Sequence, residues 1–444
     1  MKNLVVLHLE SISRQRLATF ASVFPNTLRL MREGVVFDNF FSSATSTGMA
    51  LAYFFYANDF ELDASTRFVD AKPARNNPHL FEVLQACGYH SSLICLNGFP
   101  QRPIVSPAWG HSLPPIRETN DFPRLFGEFD ALTETRPFAI YVWDLITHIE
   151  HSLALAPMST GLVDQLRRAC AVADDAVGRI TQMLERKGLL DDTTIVLYGD
   201  HGDDFWSHGF KGGMIHGTEP YTDIIATPFA IRDPALAPSV RAGLASTIDV
   251  APTCLALLGV DAAMPFPHSG IDLFTGAPER VYAQNYTANQ PDNVDCGIVK
   301  AFSVTDDTWT LVASSHGLEL FAHRIDPGNH CNLLHLFTLD GAGELTLQAP
   351  HGAMPHFLAA LASNPQAVSR LASDFRVLRD ALLARVDAKR QYIVDRGVEA
   401  VHALERRCLA TISPRGRDAF FGAPARPPSP RPAASAFDFS WRLA

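Results

Sequence analysis

Apolar residues gather in short runs along the first half of the chain, at Leu4–Leu9, Ser91–Leu96, Phe138–Trp143 and Ile195–Tyr198. Runs of this length without polar alternation are expected as strands buried on both faces, and Val35–Phe41 reads as another strand. Between them the apolar positions recur with a helical period. Phe24 to Glu33 predicts a helix stopped by Gly34, and Leu80 to Gly88 a second one. Residues 162–188 predict a long amphipathic helix with Leu162, Leu166, Ala169, Val172, Val177 and Ile180 on one face, covering the sheet. The pattern is that of a large α/β unit.

The pattern changes beyond residue 353. Residues 353–409 read as helical, rich in Ala, Leu and Arg. From Ser413 the chain is rich in Pro, Ala and Arg, and Pro-Ser-Pro-Arg-Pro cannot build a core, so an extended linker is expected. The aromatics near the end, Phe437 and Trp441, are candidates for docking on the body or on a partner. No internal repeat is visible.

Composition narrows the classes. With 444 residues, 47% hydrophobic and 19% charged, most of the chain is globular rather than disordered. A net charge of −10 argues against nucleic acid or an anionic membrane as partner. The seven cysteines are odd in number, scattered and without paired metal spacing, which suits a reducing, cytoplasmic compartment. The apolar run at the N-terminus is too short for a signal peptide, and no stretch approaches the roughly 20 apolar residues of a membrane helix.

Chemistry concentrates where buried strands end. Gly199-Asp200-His201-Gly202 follows Ile195–Tyr198 and must turn at the strand's C-terminal end, where open α/β sheets bind ligands. An adjacent carboxylate and imidazole suit a divalent metal of the zinc or manganese type, although a turn aspartate beside a surface histidine fits the same residues. Leu4–Leu9 delivers Glu10 to a second strand end. Ser42, Ser43, Thr45, Ser46 and Thr47 precede an apolar run of helical length, so a hydroxyl stands at a helix N-terminus, either as an ordinary cap or as a nucleophile beside a bound anion.

Leu9-Glu10-Ser11, the Phe24–Phe40 stretch, Leu80–Tyr89 and Tyr198-Gly-Asp-His-Gly202 resemble, in that order, landmarks of the sulfatase-like branch of the alkaline phosphatase superfamily. The chain is more similar to lipoteichoic acid synthases and phosphoethanolamine transferases than to true sulfatases. It lacks the Cys-x-Pro-Ser-Arg signature, and Asn97-Gly98 stands where sulfatases carry Lys and His. The resemblance implies a mixed, mostly parallel central sheet sandwiched by helices. It places a catalytic core at 1–275, a small antiparallel α+β subdomain at 276–345, a helical extension at 346–410 and a flexible tail at 411–444. The transferases it resembles carry transmembrane helices that this sequence does not show.

For the site, the resemblance implies one divalent metal, zinc or manganese, held by Glu10, Asp200 and His201 with Thr45 completing the shell. Thr45 is the expected nucleophile, with Ser46 and Thr47 behind it, because moving the role to Thr47 would carry the side chain round the first helical turn. His148 and His216 are expected to hold phosphoryl oxygens or protonate the leaving group. His151 reads as surface, His208 has only proximity in its favour, and Asp203 and Asp204 read as solvated turn acids. The expected activity is a metal-dependent phosphoester hydrolase or phospho-group transferase working through a phospho-threonine on a small-molecule or head-group ester. Alternatives are a sulfoester or phosphonate-ester hydrolase on the same scaffold, and a non-catalytic binding protein with a degenerate site.

Overall fold

The structure, a computed structural model, describes residues 1–59, 78–96, 116–119, 122–149, 161–205, 207–208, 214–260, 270–285, 301–314, 317–340, 344–348, 359 and 362–395. Asn97-Gly98, His151, residues 396–409 of the expected helical stretch and the Pro-rich tail lie outside the described residues. The described residues fall in two compact units, one within 1–204 and 223–281 and the other within 205–222 and 282–395.

The first unit is built on a sheet of eight described strands: β1 (Asn3–Leu9), β2 (Val35–Phe41), β3 (His90–Leu96), β4 (Ile116–Thr119), β5 (Phe138–Asp144), β6 (Thr193–Gly199), Phe229–Arg232 and Ser239–Ser246. Two short strands, β7 (Asp204–Phe205) and β8 (Met214–Ile215), come between β6 and Phe229–Arg232, which are numbered so that Phe229–Arg232 is β9 and Ser239–Ser246 is β10. The order across the sheet is β10-β2-β9-β6-β1-β5-β3-β4. All neighbours are parallel except β9, which runs antiparallel to both β2 and β6. This is the mixed, mostly parallel central sheet that the resemblance implies.

Every residue of β1, β5 and β6 is buried, as expected of strands covered on both faces. Their register aligns Leu9 with both Asp144 and Gly199, so the three strands run out at one level. The residues that follow, Glu10, Leu145 and Asp200, therefore emerge at one edge. Helix α1 (Arg14–Thr19) follows β1, and α2 (Pro25–Arg32) precedes β2. Helix α3 (Thr47–Tyr56) is apolar all round, and all ten of its residues are buried, which identifies it as an internal helix. Helix α4 (Leu80–Ala86) leads into β3, and α5 (Phe122–Leu132) into β5.

Helix α6 (Leu162–Arg186) buries Leu166, Ala169, Val177 and Ile180 as its period predicts. It also buries Asp174, whose carboxylate accepts the N–H groups of Asn26 and Thr27 and so caps α2 from outside. Strand β10 was not legible from hydropathy. Its first five residues are exposed, so it carries no apolar run.

In the second unit, β11 (Val281–Gln284), β12 (Ala301–Thr305), β13 (Thr310–Ser314) and β14 (Gly317–Phe321) form a four-stranded sheet whose last two pairings are antiparallel. A long helix at Pro365–Asp395 lays Leu371, Phe375, Leu378 and Leu382 against Phe302, Val304, Leu311 and Leu320 of this sheet. Its spacing of i, i+4, i+7 and i+11 is one helical face, and the helix shares the sheet's core. Asp326 makes a turn, accepting from the backbone of His330 and Cys331.

Candidate metal centre

The Asp200-His201 turn is held by two glycines whose place tolerates no side chain. A Cβ at Gly199 would collide with the carbonyl of Ile12, and one at Gly202 with the carbonyl of Asp223. The Gly202 N–H donates to the Ile224 carbonyl at 2.6 Å, which pins the turn to the chain ahead of β9. Across from it, Ser11 takes a left-handed conformation, φ 54°, and aims its N–H at Asp200 Oδ1, 2.9 Å away.

Glu10, Asp200 and His201 converge, each wholly buried. His201 Nε2 lies 3.2 Å from Asp200 Oδ2 and 3.7 Å from Glu10 Oε1. Its Nδ1 faces the Gly202 carbonyl at 2.9 Å, and a carbonyl only accepts. Nδ1 therefore carries the proton, and the Nε2 lone pair points at the two carboxylates. Glu10 is fixed at three atoms: the Trp143 indole N–H donates to Oε2 at 2.7 Å, Ser11 Oγ to Oε1 at 3.2 Å, and the Thr147 hydroxyl to its carbonyl at 2.6 Å.

The hydroxyl that joins this cluster is that of Thr47. Thr47 Oγ1 donates to Glu10 Oε1 at 2.8 Å and lies 2.9 Å from His201 Nε2. Thr45, the expected nucleophile, is also buried, and its Oγ1 makes no hydrogen bond. The reason is where the helix starts. Ser46 is still extended, at φ −148° and ψ 148°, and the helix begins only at Thr47. Thr47, the first helical residue, carries its hydroxyl to the strand ends.

Asp203 and Asp204 are buried rather than solvated. Asp203 pairs with Arg16 at 3.4 Å, a buried guanidinium that also donates to the carbonyls of Ser11 and Thr147. His148 is half-buried directly after Thr147, at the end of the 3-10 turn that closes β5. His216 and His208 belong to the second unit. There His216 is half-buried, and His208 stacks on Tyr221 with ring centroids 3.8 Å apart and hydrogen-bonds the Asn329 carbonyl at 3.1 Å, a packing role.

A buried cluster of two carboxylates, an imidazole lone pair and a hydroxyl at the C-terminal edge of a parallel sheet is the donor chemistry of a divalent cation site. A family model described as Sulfatase matches residues 2–260. The chain belongs to the sulfatase family.

Lipoteichoic acid synthase of Staphylococcus aureus (strain USA300) is 28% identical to this sulfatase-family chain over 156 residues, which are 33% of the chain and 24% of the synthase. The match thus spans about a quarter of that relative's length. Among solved structures, an alkaline phosphatase superfamily protein from Vibrio parahaemolyticus superposes with a TM-score of 0.57 at 20% identity, covering 74% of this chain and 80% of that one. The phosphonate monoester hydrolase of Agrobacterium radiobacter gives 0.56 at 16% identity, over 75% and 92%. At these identities the structures establish the shared fold. The sulfatase-family chain is an enzyme of the hydrolase and transferase type on the alkaline phosphatase scaffold, in a family whose members use a divalent metal. No helix among the described residues is long and apolar enough to cross a membrane.

Proposed function

We propose that this enzyme hydrolyses or transfers a phosphoester through a covalent phospho-threonine formed on Thr47, using one divalent metal. The observation that carries the reading is the Thr47 hydroxyl, shared between Glu10 Oε1 and His201 Nε2 at the first position of an internal helix. Glu10, Asp200, His201 and Thr47 are the residues that would hold the metal. When bound, the ion lowers the pKa of the hydroxyl and offsets charge on the transferring oxygens. The cluster's orphaned buried oxygen, Asp200 Oδ2, fits such an occupant.

Glu10 Oε1 accepts the Thr47 proton and leaves the oxygen free to attack phosphorus. The first-turn N–H groups of α3, which have no intrahelical acceptor, face the phosphoryl oxygens, and the helix dipole favours their charge. The new bond joins Thr47 Oγ1 to phosphorus, the bond to the leaving oxygen breaks, and that oxygen takes up a proton. His148 and His216 are proposed for that proton or for the phosphoryl oxygens. Water or a second alcohol then resolves the phospho-threonine.

A threonine in place of a modified cysteine favours phosphoester over sulfoester substrates. The substrate class we propose is a small-molecule or head-group phosphoester, and the scattered cysteines support a cytoplasmic location. All five cysteines among the described residues are free thiols. Turnover of p-nitrophenyl phosphate, a phosphodiester and p-nitrophenyl sulfate by the metal-loaded protein tests the reading. Phosphate-ester turnover with a rapidly quenched phosphopeptide modified at Thr47 is expected. Sulfate turnover alone would refute it.

A further inference from the structure

His8 takes no part in the chemistry described above, yet its imidazole stands against the same two carboxylates. Its Nε2 lies 3.2 Å from Asp200 Oδ1 and 3.7 Å from Glu10 Oε2. These separations repeat those of His201 Nε2, which is 3.2 Å from Asp200 Oδ2 and 3.7 Å from Glu10 Oε1. Each carboxylate thus offers one oxygen to each imidazole. Donors about 2.0–2.1 Å from a zinc ion stand about 3.3–3.4 Å from one another in a tetrahedron; the 3.2 Å separations lie close to that and the 3.7 Å ones slightly above it.

The Nε2 atom of His8 is wholly buried and forms no hydrogen bond, although two carboxylates are in reach. An N–H placed there would be expected to align on one of the oxygens, because a buried donor left unbonded is costly. A lone pair aimed between them is the arrangement of a ligand.

The other side of the ring is built to support that role. Nδ1 is 3.0 Å from the Tyr141 hydroxyl, which in turn hydrogen-bonds the Tyr198 hydroxyl. Both phenols are fully buried, and burial first of all raises their pKa, so they stay neutral hydrogen-bonding groups. The ring itself is clamped between its cross-strand neighbours, Trp143 at 5.6 Å and Tyr198 at 5.0 Å. With Nε2 bound, Nδ1–H donates to Tyr141 and Tyr141 donates to Tyr198, which fixes tautomer and ring orientation as outer partners of metal-bound histidines do.

We propose that His8 Nε2 is a metal ligand, so that the centre contains two imidazoles, from His8 and His201. The inference rests on the metal-dependent reading above and deepens it, because a second imidazole shifts the donor set from manganese toward zinc.

X-ray absorption at the zinc edge of the full-length, zinc-loaded protein counts the imidazoles without any variant. Two are expected, and one would overturn the proposal. His8→Gln and Tyr141→Phe, each checked for folding by its melting transition, should bind zinc about 10- to 100-fold more weakly in competition with a chromogenic chelator. A folded His8→Gln with unchanged zinc affinity would overturn it as well. Wild-type protein that binds zinc through a single imidazole and still turns over phosphate esters refutes only the role of His8. Wild-type protein that binds no divalent metal refutes this proposal together with the reading beneath it.

Discussion

Thr47 Oγ1 and Glu10 Oε1 are 2.8 Å apart, although 37 residues separate them in the chain. The bond ties the first residue of an internal helix to the residue that leaves the central strand. On the proposed reading it marks Thr47 among five clustered hydroxyls. Thr47→Ala is expected to lower kcat for p-nitrophenyl phosphate by at least about 10³-fold, the scale of losing a nucleophile. On that assignment Thr45→Ala should cost far less. Equal losses in the two variants would remove the assignment.

The carboxylate and imidazole of the site were legible because an apolar run that stops at an acid is a strong local signal. Glu10, Asp200 and His201 stand where their strands end, and the register of β1 against β6 brings them to one level. The choice between Thr45 and Thr47 was not legible. Ser and Thr are both good helix starts, so the sequence leaves the first helical residue open over several positions. His8 was hidden for another reason. Inside an apolar run a lone histidine reads as a core residue, and the signal that could have found it is its position two before Glu10, the spacing that puts two side chains on one face of a strand. The buried Asp203 was missed because its partner Arg16 lies 187 residues away.

Metal removal should lower stability as well as activity. A ligand that binds only the folded state adds about 2.7 kcal/mol at a hundred times its dissociation constant. The protein treated with a chelator should melt at a lower temperature, and excess zinc should restore both the melting point and turnover. A melting point indifferent to metal would contradict a centre built from both halves of the core.

Arg16 supports the site from beneath. Its guanidinium, 3% exposed, ties together Ser11, Thr147 and Asp203, and so connects the loops after β1, β5 and β6. Arg16→Met would leave Asp203 buried without its counter-charge, and losses of about 3–5 kcal/mol follow from breaking a buried pair. The double variant Arg16→Met, Asp203→Asn should recover part of that loss, because it removes the stranded charge. Denaturant unfolding of the single and double variants measures both. A single variant as stable as the wild type would show that the guanidinium carries no such burden.

Asp249 sets a pH dependence away from the site. Its carboxyl is pushed up to about 6 by burial, even though the N–H groups of Ile271 and Ser246 and the Ser246 hydroxyl donate to it and pull the other way. An acid whose pKa is higher in the folded protein than in the unfolded chain binds its proton more tightly when folded. Its contribution is therefore fully present below the unfolded value near 4, declines as pH rises, and is lost above about 6. The gap of roughly two units corresponds to about 3 kcal/mol. Asp249→Asn cannot titrate, so the stability of the wild type relative to this variant should fall by up to that amount between pH 4 and pH 7. Denaturant unfolding at a series of pH values gives the difference directly, and the other titrating groups cancel in it. A difference that is flat with pH, or that grows toward neutrality, would mean the buried carboxyl is ionised throughout and that its three donors outweigh its burial.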